Sequence, residues 1–460
     1  MGGGESGAEV ARDRWESDLL SPDVTTTPYW LREHEAPDDN AGPLPKTADV
    51  VVIGSGYTGL SAALQTARDG MTTVILEAGR PGEGCSTRNG AHISTSVKPS
   101  LETLAKRYGP ERASAIRAEG RRSLDWIEDF VRAEELDCDF RRSGRFHAAH
   151  SPRMYERIAR SAERGRHDEG VASFAVPRSE QRAEIDTDFY HGGVVYPHFA
   201  TLHPGKFHRG VLRRAIEAGA DLHPHCAART VRRDGDYTDI DTRKGVIRAR
   251  DVIIATNGYT TDLIPWLQRR VIPIGSYMIA TEPLALNVMD RLFPTRRLVT
   301  DTRRVVFYYG PSPDGRRIVF GGRVSSGETD PAISGPRLHA ELTKIFPDMD
   351  KVAIDHSWMG FVAYSFDELA HTGTHDGIHY ALGYCGSGVG MASYLGTRLG
   401  QRVIGQKEGQ TAFDNLPFPT RPFYAGTPWF LSAAVAWFRW CDRAESSLAT
   451  WQGNPNAKAP

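Results

Sequence analysis

The amino-acid sequence predicts a protein of the α/β plus α+β class, with a Rossmann-like nucleotide-binding domain and a second domain built on an antiparallel β-sheet. Two observations support this prediction. Near the N-terminus, a β-branched strand, a glycine-rich turn, a helix and a second strand follow one another directly, as in a βαβ unit. From residue 271 to 325 the chain is β-rich, and it places the turn Pro313-Asp314-Gly315 between two apolar segments, as antiparallel hairpins do.

Length and composition narrow the class of protein. A chain of 460 residues exceeds one ordinary domain, so two or three structural units are expected. The formal net charge of -1 offers no general attraction to nucleic acid or to an anionic membrane. No apolar run reaches the roughly 20 residues that a membrane helix requires, and the N-terminal segment lacks the apolar core of a secretory signal. We therefore expect a cytoplasmic protein without a nucleic-acid partner or a transmembrane segment.

Cysteine and histidine spacing gives no indication of a metal site. The 5 cysteines are scattered and form no CxxC pair, which argues against a disulfide framework and against structural zinc. Two histidine groups, around residues 223–225 and 371–379, lack an accompanying cysteine or carboxylate pattern, and alternation on strands explains them. No metal is expected.

The βαβ unit begins with the continuous apolar run of residues 48–53, which is typical of a strand buried on both faces. Residues 57–69 follow at helical spacing, and residues 72–76 form a second β-branched run. Between the first strand and the helix lies the motif Gly54-Ser55-Gly56-Tyr57-Thr58-Gly59. A GxGxxG motif alone is weak, but this one stands in the strand–turn–helix context that a dinucleotide-binding site requires.

Each residue of the motif has a physical task. Gly54 permits the tight turn, Gly56 lets the backbone approach a pyrophosphate at the helix N-terminus, and Gly59 allows the helix to pack closely on the strand. Glu77 ends the second strand, where its carboxylate would accept hydrogen bonds from the ribose hydroxyls of an adenosine. The motif therefore predicts a dinucleotide, and by itself it leaves NAD and FAD open.

The remaining elements suggest the following organisation. Helices are expected over residues 101–136, 152–168, 205–218 and 389–403, and strands over 140–149, 190–196 and 246–255. The expected domain boundaries are an N-terminal arm (1–44), a discontinuous nucleotide-binding domain (45–100, 196–270 and 355–415), a substrate domain (101–195 and 271–354) and a C-terminal docking tail (416–460). The apolar run 428–438 within the tail is expected to dock as a helix on its own chain, with a membrane surface or a protein partner as alternatives.

Residues 80–90, which end in Cys85-Ser86-Thr87-Arg88-Asn89-Gly90, resemble the ring-facing loop of the D-amino acid oxidase/glycine oxidase (DAO) superfamily of flavoproteins. Further segments resemble this family in the same order along the chain, namely Thr27 to Trp30, Gly192 to Pro197, Leu202 to Pro204, Ile254 to Tyr259, Thr281 to Pro283, Gly321 to Arg323 and Tyr384 to Gly390. Within the superfamily, the chain is most similar to gamma-glutamylputrescine oxidase-type proteins. The resemblance implies a glutathione-reductase-like FAD-binding domain and FAD as cofactor.

The resemblance also implies which residues contact FAD. They belong to the βαβ unit, the ring-facing loop, two later strand ends and the C-terminal glycine loop: Gly54, Gly56, Tyr57, Thr58, Gly59, Glu77, Ala78, Ser86, Thr87, Arg88, Asn89, Gly90, Ala91, His92, Ala228, Ala255, Thr256, Gly258, Gly386, Ser387, Gly388, Val389 and Gly390. FAD is expected to be non-covalent, because Cys385 does not match the position of the linked cysteine of some relatives. Many relatives have a second glycine where this chain has Ala91, and often an arginine where it has Gly310.

The activity implied is the oxidation of an amine, in which hydride passes from the α-carbon to flavin N5 and the resulting imine is hydrolysed. A small aliphatic amine, a gamma-glutamylated amine or an N-substituted amino acid is expected as substrate, and O₂ or another acceptor takes the electrons. The candidate catalytic residues are Tyr277, Tyr308, Tyr309, Trp358 and His203. For each of them, core packing is an equally good explanation.

Two alternatives remain open. An FAD-dependent monooxygenase shares the N-terminal βαβ unit, although its usual Gly-Asp segment before the last flavin helix is absent from this sequence. A flavin-bearing subunit of a larger amine-oxidising complex would use the C-terminal apolar helix to dock a protein partner. A simple NAD dehydrogenase is disfavoured, because the ring-facing loop and the C-terminal glycine loop would then have no function.

Overall fold

The computed structural model of the protein describes residues 19–32, 42–95 and 97–452. The strands are β1 Leu20–Thr25, β2 Thr47–Ile53, β3 Thr73–Leu76, β4 His92–Ile93, β5 Arg145–Ala148, β6 Phe174–Val176, β7 Gly193–Tyr196, β8 Ala200–Thr201, β9 Asp221–His223, β10 Ala228–Asp234, β11 Tyr237–Thr242, β12 Gly245–Ile254, β13 Ile272–Thr281, β14 Leu298–Asp301, β15 Tyr308–Pro311, β16 Ile318–Gly322, β17 Ile354–Tyr364, β18 His371–His375 and β19 Ile378–Leu382. The helices are α1 Tyr57–Arg68, α2 Leu101–Tyr108, α3 Pro110–Ala133, α4 Pro152–Glu169, α5 Pro204–Glu217, α6 Pro265–Gln268, α7 Leu286–Leu292, α8 Pro331–Ile345, α9 Gly388–Val403 and α10 Leu431–Gln452.

The first sheet is the nucleotide-binding sheet that the βαβ pattern predicts. Its parallel strands run in the order β12-β2-β3-β9, with β19 also parallel to β12. The antiparallel ribbon β10-β11 extends it at the β12 edge, and β18 pairs with β19. Val50, Val51 and Val52 of β2 have no exposed surface, as expected for a central strand covered on both faces.

The second sheet is mostly antiparallel and has the order β1-β17-β13-β16-β15-β14-β5-β7-β6. Only the pairs β1–β17 and β14–β5 are parallel. The predicted turn at Pro313-Asp314-Gly315 joins β15 to β16, as the hairpin pattern requires. The two sheets together confirm the predicted class, an α/β domain with an antiparallel second sheet. Strand β17 begins at residue 354 and belongs to the second sheet, although the sequence had assigned residues 355–415 to the nucleotide-binding domain.

Helix α9 packs directly on α1, and small residues set the distance between them. A Cβ added at Gly396 would lie 2.3 Å from the carbonyl oxygen of Thr58, and one added at Gly400 would lie 2.6 Å from that of Ala62. The N-termini of both helices therefore lie at one end of the nucleotide-binding sheet. Helices α2 and α3 also contribute to this core, through Leu104, Ile116 and Ile127 among others. The predicted helix over 101–136 is thus broken in two at Gly109, whose φ is 84°.

Both terminal segments lie against the body of the protein. Within the predicted arm, residues 1–18 and 33–41 lie outside the described residues; β1 adds an edge strand, and Trp30 is buried. In the predicted docking tail, α10 buries Val435 and exposes Trp437 and Trp440, whose rings stack 5.0 Å apart. Among the described residues, no helix is long and apolar enough to cross a membrane. Docking of a protein partner on this helix, the cytoplasmic location and the remaining domain boundaries stay predictions.

Candidate functional site

A cavity of about 1200 Å³ connects the nucleotide-binding sheet to the antiparallel sheet. One end is formed by the glycine-rich turn, Glu77 and the first residues of α1. The middle is lined by the ring-facing loop and by the loop before α9, and the other end by β5, β14, β15 and the C-terminal helix α10. A cavity of this size and shape can hold a long cofactor together with a small substrate.

The glycine-rich turn has the geometry that its sequence predicts. Gly54 has a φ of 106°, in the region that favours glycine, and its N–H donates to the carbonyl of Leu76 at 2.9 Å. A Cβ added at Gly59 would lie 1.9 Å from the carbonyl oxygen of Gly54. Helix α1 begins at Tyr57 without a side-chain cap from Gly56, so its first turn leaves backbone N–H groups for an anion.

Glu77 lies at the end of β3, facing this turn. One carboxylate oxygen accepts hydrogen bonds from the backbone N–H of Ser55 at 2.9 Å and from its hydroxyl at 2.6 Å. The other oxygen accepts from the N–H of Gly79 at 3.1 Å. These bonds fix the carboxylate at the cavity wall, where an acid that binds ribose hydroxyls is needed.

The ring-facing loop is held rigidly by contacts on both of its sides. Ser86 Oγ accepts from the N–H of Tyr57 at 3.0 Å and so ties the loop to α1. The indole N–H of Trp30 donates to the carbonyl of Asn89 at 2.8 Å, and that of Trp358 donates to the carbonyl of Arg88 at 3.2 Å. A flat cofactor lying on this loop would therefore meet a surface whose position is already fixed.

The C-terminal glycine loop brings a second helix N-terminus to the cavity. Gly386 has a φ of 83°, and α9 starts at Gly388 without a side-chain cap from Ser387. The Lys98 ammonium lies beside this loop, 3.9 Å from a Cβ added at Gly386, and donates to the Tyr364 hydroxyl at 2.7 Å. Burial disfavours the charge of Lys98, but its contacts with Tyr364 outweigh burial and raise its pKa. Both the helix end and the cation would stabilise negative charge here.

These features fit a flavin dinucleotide. The uncapped α1 N-terminus suits the pyrophosphate, Glu77 suits the adenosine ribose, and the ring-facing loop leads to the α9 N-terminus, which suits the edge of a ring that gains negative charge on reduction. FAD would be held by the predicted residues that line the cavity, which are Gly54, Gly56, Tyr57, Thr58, Glu77, Ala78, Ser86, Arg88, Asn89, Gly90, His92, Ala255, Thr256, Gly386, Ser387, Gly388 and Val389.

The other predicted cofactor residues do not line the cavity and instead support its walls: Gly59, Thr87, Ala91, Ala228, Gly258 and Gly390. Thr87 donates its hydroxyl to the carbonyl of Gly82, and a Cβ added at Gly258 would lie 2.5 Å from the carbonyl oxygen of Phe361. Ala91 has a φ of 65°, which explains why relatives place a glycine there. The thiol of Cys385 is buried and hydrogen bonds with the carbonyl of Gly383 at 3.2 Å, away from the cavity.

Of the five candidate catalytic residues, the structure brings only Tyr308 to the cavity. Its ring lies beside the ring-facing loop, because a Cβ added at Gly90 would be 2.6 Å from Tyr308 Cδ2. Its hydroxyl shares a hydrogen bond of 2.6 Å with that of Ser276, and its ring meets the edge of the His92 ring. Burial raises the pKa of Tyr308, so the phenol stays protonated at neutral pH.

The remaining four candidates have structural partners. The Tyr277 hydroxyl donates to Glu328 at 2.7 Å, and that of Tyr309 hydrogen bonds to Tyr190 at 3.0 Å in the core on the opposite face of the sheet. Trp358 braces the ring-facing loop. His203 caps α5 by accepting from the N–H of Lys206 at 3.2 Å. None of these four side chains lines the cavity.

The structure adds cavity residues that the sequence analysis did not select. These are Lys98, Arg145, His147, Thr300 and the α10 residues Leu431, Ala434, Val435 and Phe438. The alternation of Arg145 and His147 within a predicted strand was a usable signal, since residues two apart share one face. Nothing local to residues 428–438 indicates what α10 covers.

The histidines that suggested a metal are accounted for one by one. His223 lies 2.9 Å from Asp221, His371 lies 2.9 Å from Asp367, and His379 lies 3.3 Å from Asp251. In the described part of the chain, His150, Asp442 and Glu445 do come close enough to hold an ion. Both carboxylates are, however, already paired with Arg304, at 2.9 and 2.6 Å.

Comparison with known proteins agrees with this geometry. The family model described as "DAO: FAD dependent oxidoreductase" matches residues 49–402. A Rhizobium meliloti protein named "Probable oxidoreductase OrdL" is 30% identical over 406 residues, covering 86% of this chain and 93% of its own. The gamma-glutamylputrescine oxidoreductase of Escherichia coli is 29% identical over 373 residues, covering 81% of this chain and 87% of its own.

Among solved structures, glycine oxidase from Geobacillus kaustophilus superposes with a TM-score of 0.70 at 19% identity, over 82% of this chain and 99% of that one. L-proline dehydrogenase from P. horikoshii gives a TM-score of 0.66 at 18% identity, over 85% and 99%. At these identities the structural likeness concerns the fold, whereas the family match extends over most of the sequence. The chain belongs to the DAO family of FAD-dependent oxidoreductases.

Proposed function

We propose that this enzyme oxidises the carbon–nitrogen bond of an amine. The supporting observation is the cavity beyond the ring-facing loop, where Tyr308, Ser276 and His92 form a wall of uncharged polar groups beside Gly90. Burial, together with the nearby Arg145 charge, lowers the pKa of His92 to about 3, so its ring stays neutral. The name of the Escherichia coli relative, gamma-glutamylputrescine oxidoreductase, supports an amine as substrate.

The charges of the cavity favour the reactive form of such a substrate. Arg145 and Lys98 both line the cavity, and nearby cations disfavour an ammonium ion. An amine would therefore bind with its nitrogen lone pair free, which is the form that can release hydride from the adjacent carbon. A separate general base is then not required.

In this proposal, bound FAD supplies a hydride acceptor at N5 of its ring. Tyr308 and Ser276 orient the amine by hydrogen bonds to its nitrogen, and the rigid ring-facing loop fixes the distance over which hydride moves. Leu431, Val435 and Phe438 of α10 cover the cavity with apolar surface and limit the entry of water. The imine product leaves and is hydrolysed in solution. We further propose a small aliphatic amine, a gamma-glutamylated amine or an N-substituted amino acid as substrate, with O₂ or another acceptor reoxidising non-covalent FAD.

Anaerobic titration of the purified yellow protein tests the proposal. The amines would include gamma-glutamylputrescine, sarcosine, D-alanine and butylamine, and the absorption of oxidised flavin would be followed. Bleaching by one amine class is the expected result, and admitting air then distinguishes an oxidase from a dehydrogenase. A flavin that NADPH bleaches and no amine does would contradict the proposal and support a monooxygenase.

Replacement of Glu77 by alanine is expected to weaken FAD binding about 10- to 100-fold with little change in fold. The substitution removes the acceptor for the ribose hydroxyls and also frees the Ser55 and Gly79 N–H groups. The measurement is the dissociation constant of FAD on reconstitution of the apoprotein. Glu83→Ala is a matched control, because Glu83 also lines the cavity but contacts the neighbouring Arg80 N–H instead of the turn. Wild-type affinity in the Glu77 variant would refute the assigned role.

A further inference from the structure

Arg145 is the first residue of β5, and its side chain lines the cavity at the end away from the glycine-rich turn. Its guanidinium lies 4.6 Å from the Phe199 ring centroid and 5.4 Å from that of Tyr196. Within the described parts of the chain, no carboxylate forms an ion pair with Arg145, and its buried Nε has no hydrogen-bond partner. Burial lowers the pKa of Arg145 only to about 10, so it stays charged at neutral pH.

This makes Arg145 different from the other arginines of the cavity. Arg304 is paired with Asp442 and Glu445, and Arg323 is paired with Glu328 at 3.0 Å. The other two, Arg88 and Arg107, donate to backbone carbonyls of the protein. A buried charge without a partner is strongly unfavourable, and proteins normally satisfy it with an opposite charge.

The neighbours of Arg145 add hydrogen-bond donors and no competing anion. His92 lines the same cavity, and both of its ring nitrogens are buried without a partner. His147 lies two residues further along β5 and hydrogen bonds with Thr300 Oγ1 at 3.0 Å. Burial and the charge of Arg145 lower the pKa of His147 to about 3. Each neutral imidazole carries one N–H, so the group combines a guanidinium fork with polar groups suited to an anion.

We propose that Arg145, together with His92 and His147, binds a carboxylate of the substrate and thereby selects amines that carry one. This inference rests on the proposed amine oxidation and adds a binding residue to it. The sequence gives an independent reason for a new anchor, since Gly310 occupies the place where relatives often have arginine. Gly310 packs against Leu298, so that position offers no cation to the cavity.

Flavin difference spectra test the binding step without turnover. The probes are acetate, propionate and succinate, each compared with the matching amide acetamide, propionamide or succinamide. In the wild type, the acids are expected to perturb the spectrum and the amides are not. Arg145→Met is expected to raise the dissociation constants of the acids about 100-fold, and Arg145→Lys less, because lysine keeps the charge but loses the bidentate fork. Arg153→Met, at an exposed site at the start of α4, removes the same charge and should bind the acids normally.

Thermal melting of the ligand-free variants distinguishes a binding role from a structural one. Methionine removes an unpaired buried charge, so the melting temperature of Arg145→Met should equal or exceed that of the wild type. A structural arginine would instead lower it. Acid binding within about twofold of the wild type in a correctly folded Arg145→Met protein would overturn the inference.

Reduction of the flavin separates failure of this inference from failure of the proposed function. 4-Aminobutyrate and butylamine differ mainly in the carboxylate, and glycine, β-alanine and 5-aminovalerate extend the series in length. The expected result is that Arg145→Met slows reduction by the carboxylated amines and spares butylamine. Equal reduction by both classes in wild type and variant would overturn the role of Arg145 and leave amine oxidation standing. A wild-type flavin that binds the acids but is reduced by no amine would contradict the proposed function alone.

Discussion

Replacement of Gly59 by alanine is expected to yield a protein that is purified without FAD. The added Cβ would lie 1.9 Å from the carbonyl oxygen of Gly54 and 3.1 Å from Val52 Cγ1. The turn cannot yield easily, because Gly54 already has a φ of 106° and its N–H is bound to Leu76. Separating α1 from the turn would cost about 3 kcal/mol or more and would move the N–H groups that receive the pyrophosphate. The ratio of flavin to protein absorbance measures the loss.

Two further glycines provide graded controls for this prediction. Gly165 lies within α4 in open space, so Gly165→Ala should retain FAD and should stabilise the helix by up to about 1 kcal/mol. A Cβ at Gly56 would meet only Ser86 Oγ, at 2.9 Å, and this side chain can rotate. Gly56→Ala should therefore lower FAD affinity while the protein still folds. Full flavin content in a folded Gly59→Ala protein would show that the close approach of helix and turn is not needed.

The nucleotide-binding half of the fold was predictable because its signals are local. A strand buried on both faces must be continuously apolar, and a turn that faces a pyrophosphate must use glycine, so the segment from residue 48 to Glu77 determines its own structure. The break between α2 and α3 at Gly109 was missed because glycine is tolerated within helical patterns. The parallel pairing of β1 with β17 joins segments far apart in the chain, and no local pattern predicts such a pairing.

The candidate site was predictable where glycine or charge determines it and not where strand orientation does. Tyr308 and Tyr309 are neighbours on β15 and have the same chemistry, yet one faces the cavity and the other the core. A shift of one residue in register would exchange them, so sequence spacing alone cannot choose between them. Arg145 had no distinguishing mark in a chain with many arginines. It becomes notable only when the structure pairs the other arginines of the cavity and leaves this one without a carboxylate.

Replacement of Asp442 by alanine is expected to release α10 from the cavity. Asp442 is 5% exposed, and its carboxylate accepts from the backbone N–H groups of Arg304 and Val305, at 3.0 and 3.3 Å, and from the Arg304 guanidinium at 2.9 Å. Arg304 and Val305 themselves line the cavity, so this carboxylate fastens the helix to the cavity wall. With allowance for the partial exposure of Arg304, its loss should cost about 2 kcal/mol. Hydrogen exchange of the α10 backbone amides should then be about 30-fold faster, with the core strands unaffected.

Glu445 is the matched control for this prediction, because it contacts Arg304 only through its side chain, at 2.6 Å. Glu445→Ala removes one partly exposed ion pair and leaves the backbone N–H groups bound, so its effect on exchange should be several-fold smaller. If α10 limits the entry of water, Asp442→Ala should also raise the solvent accessibility of bound flavin, measured as iodide quenching of its fluorescence. Exchange rates equal to those of the wild type in the Asp442 variant would mean that apolar contacts such as that of Val435 hold the helix without the carboxylate. In that case the C-terminal helix is a fixed wall of the substrate cavity, and entry must occur elsewhere.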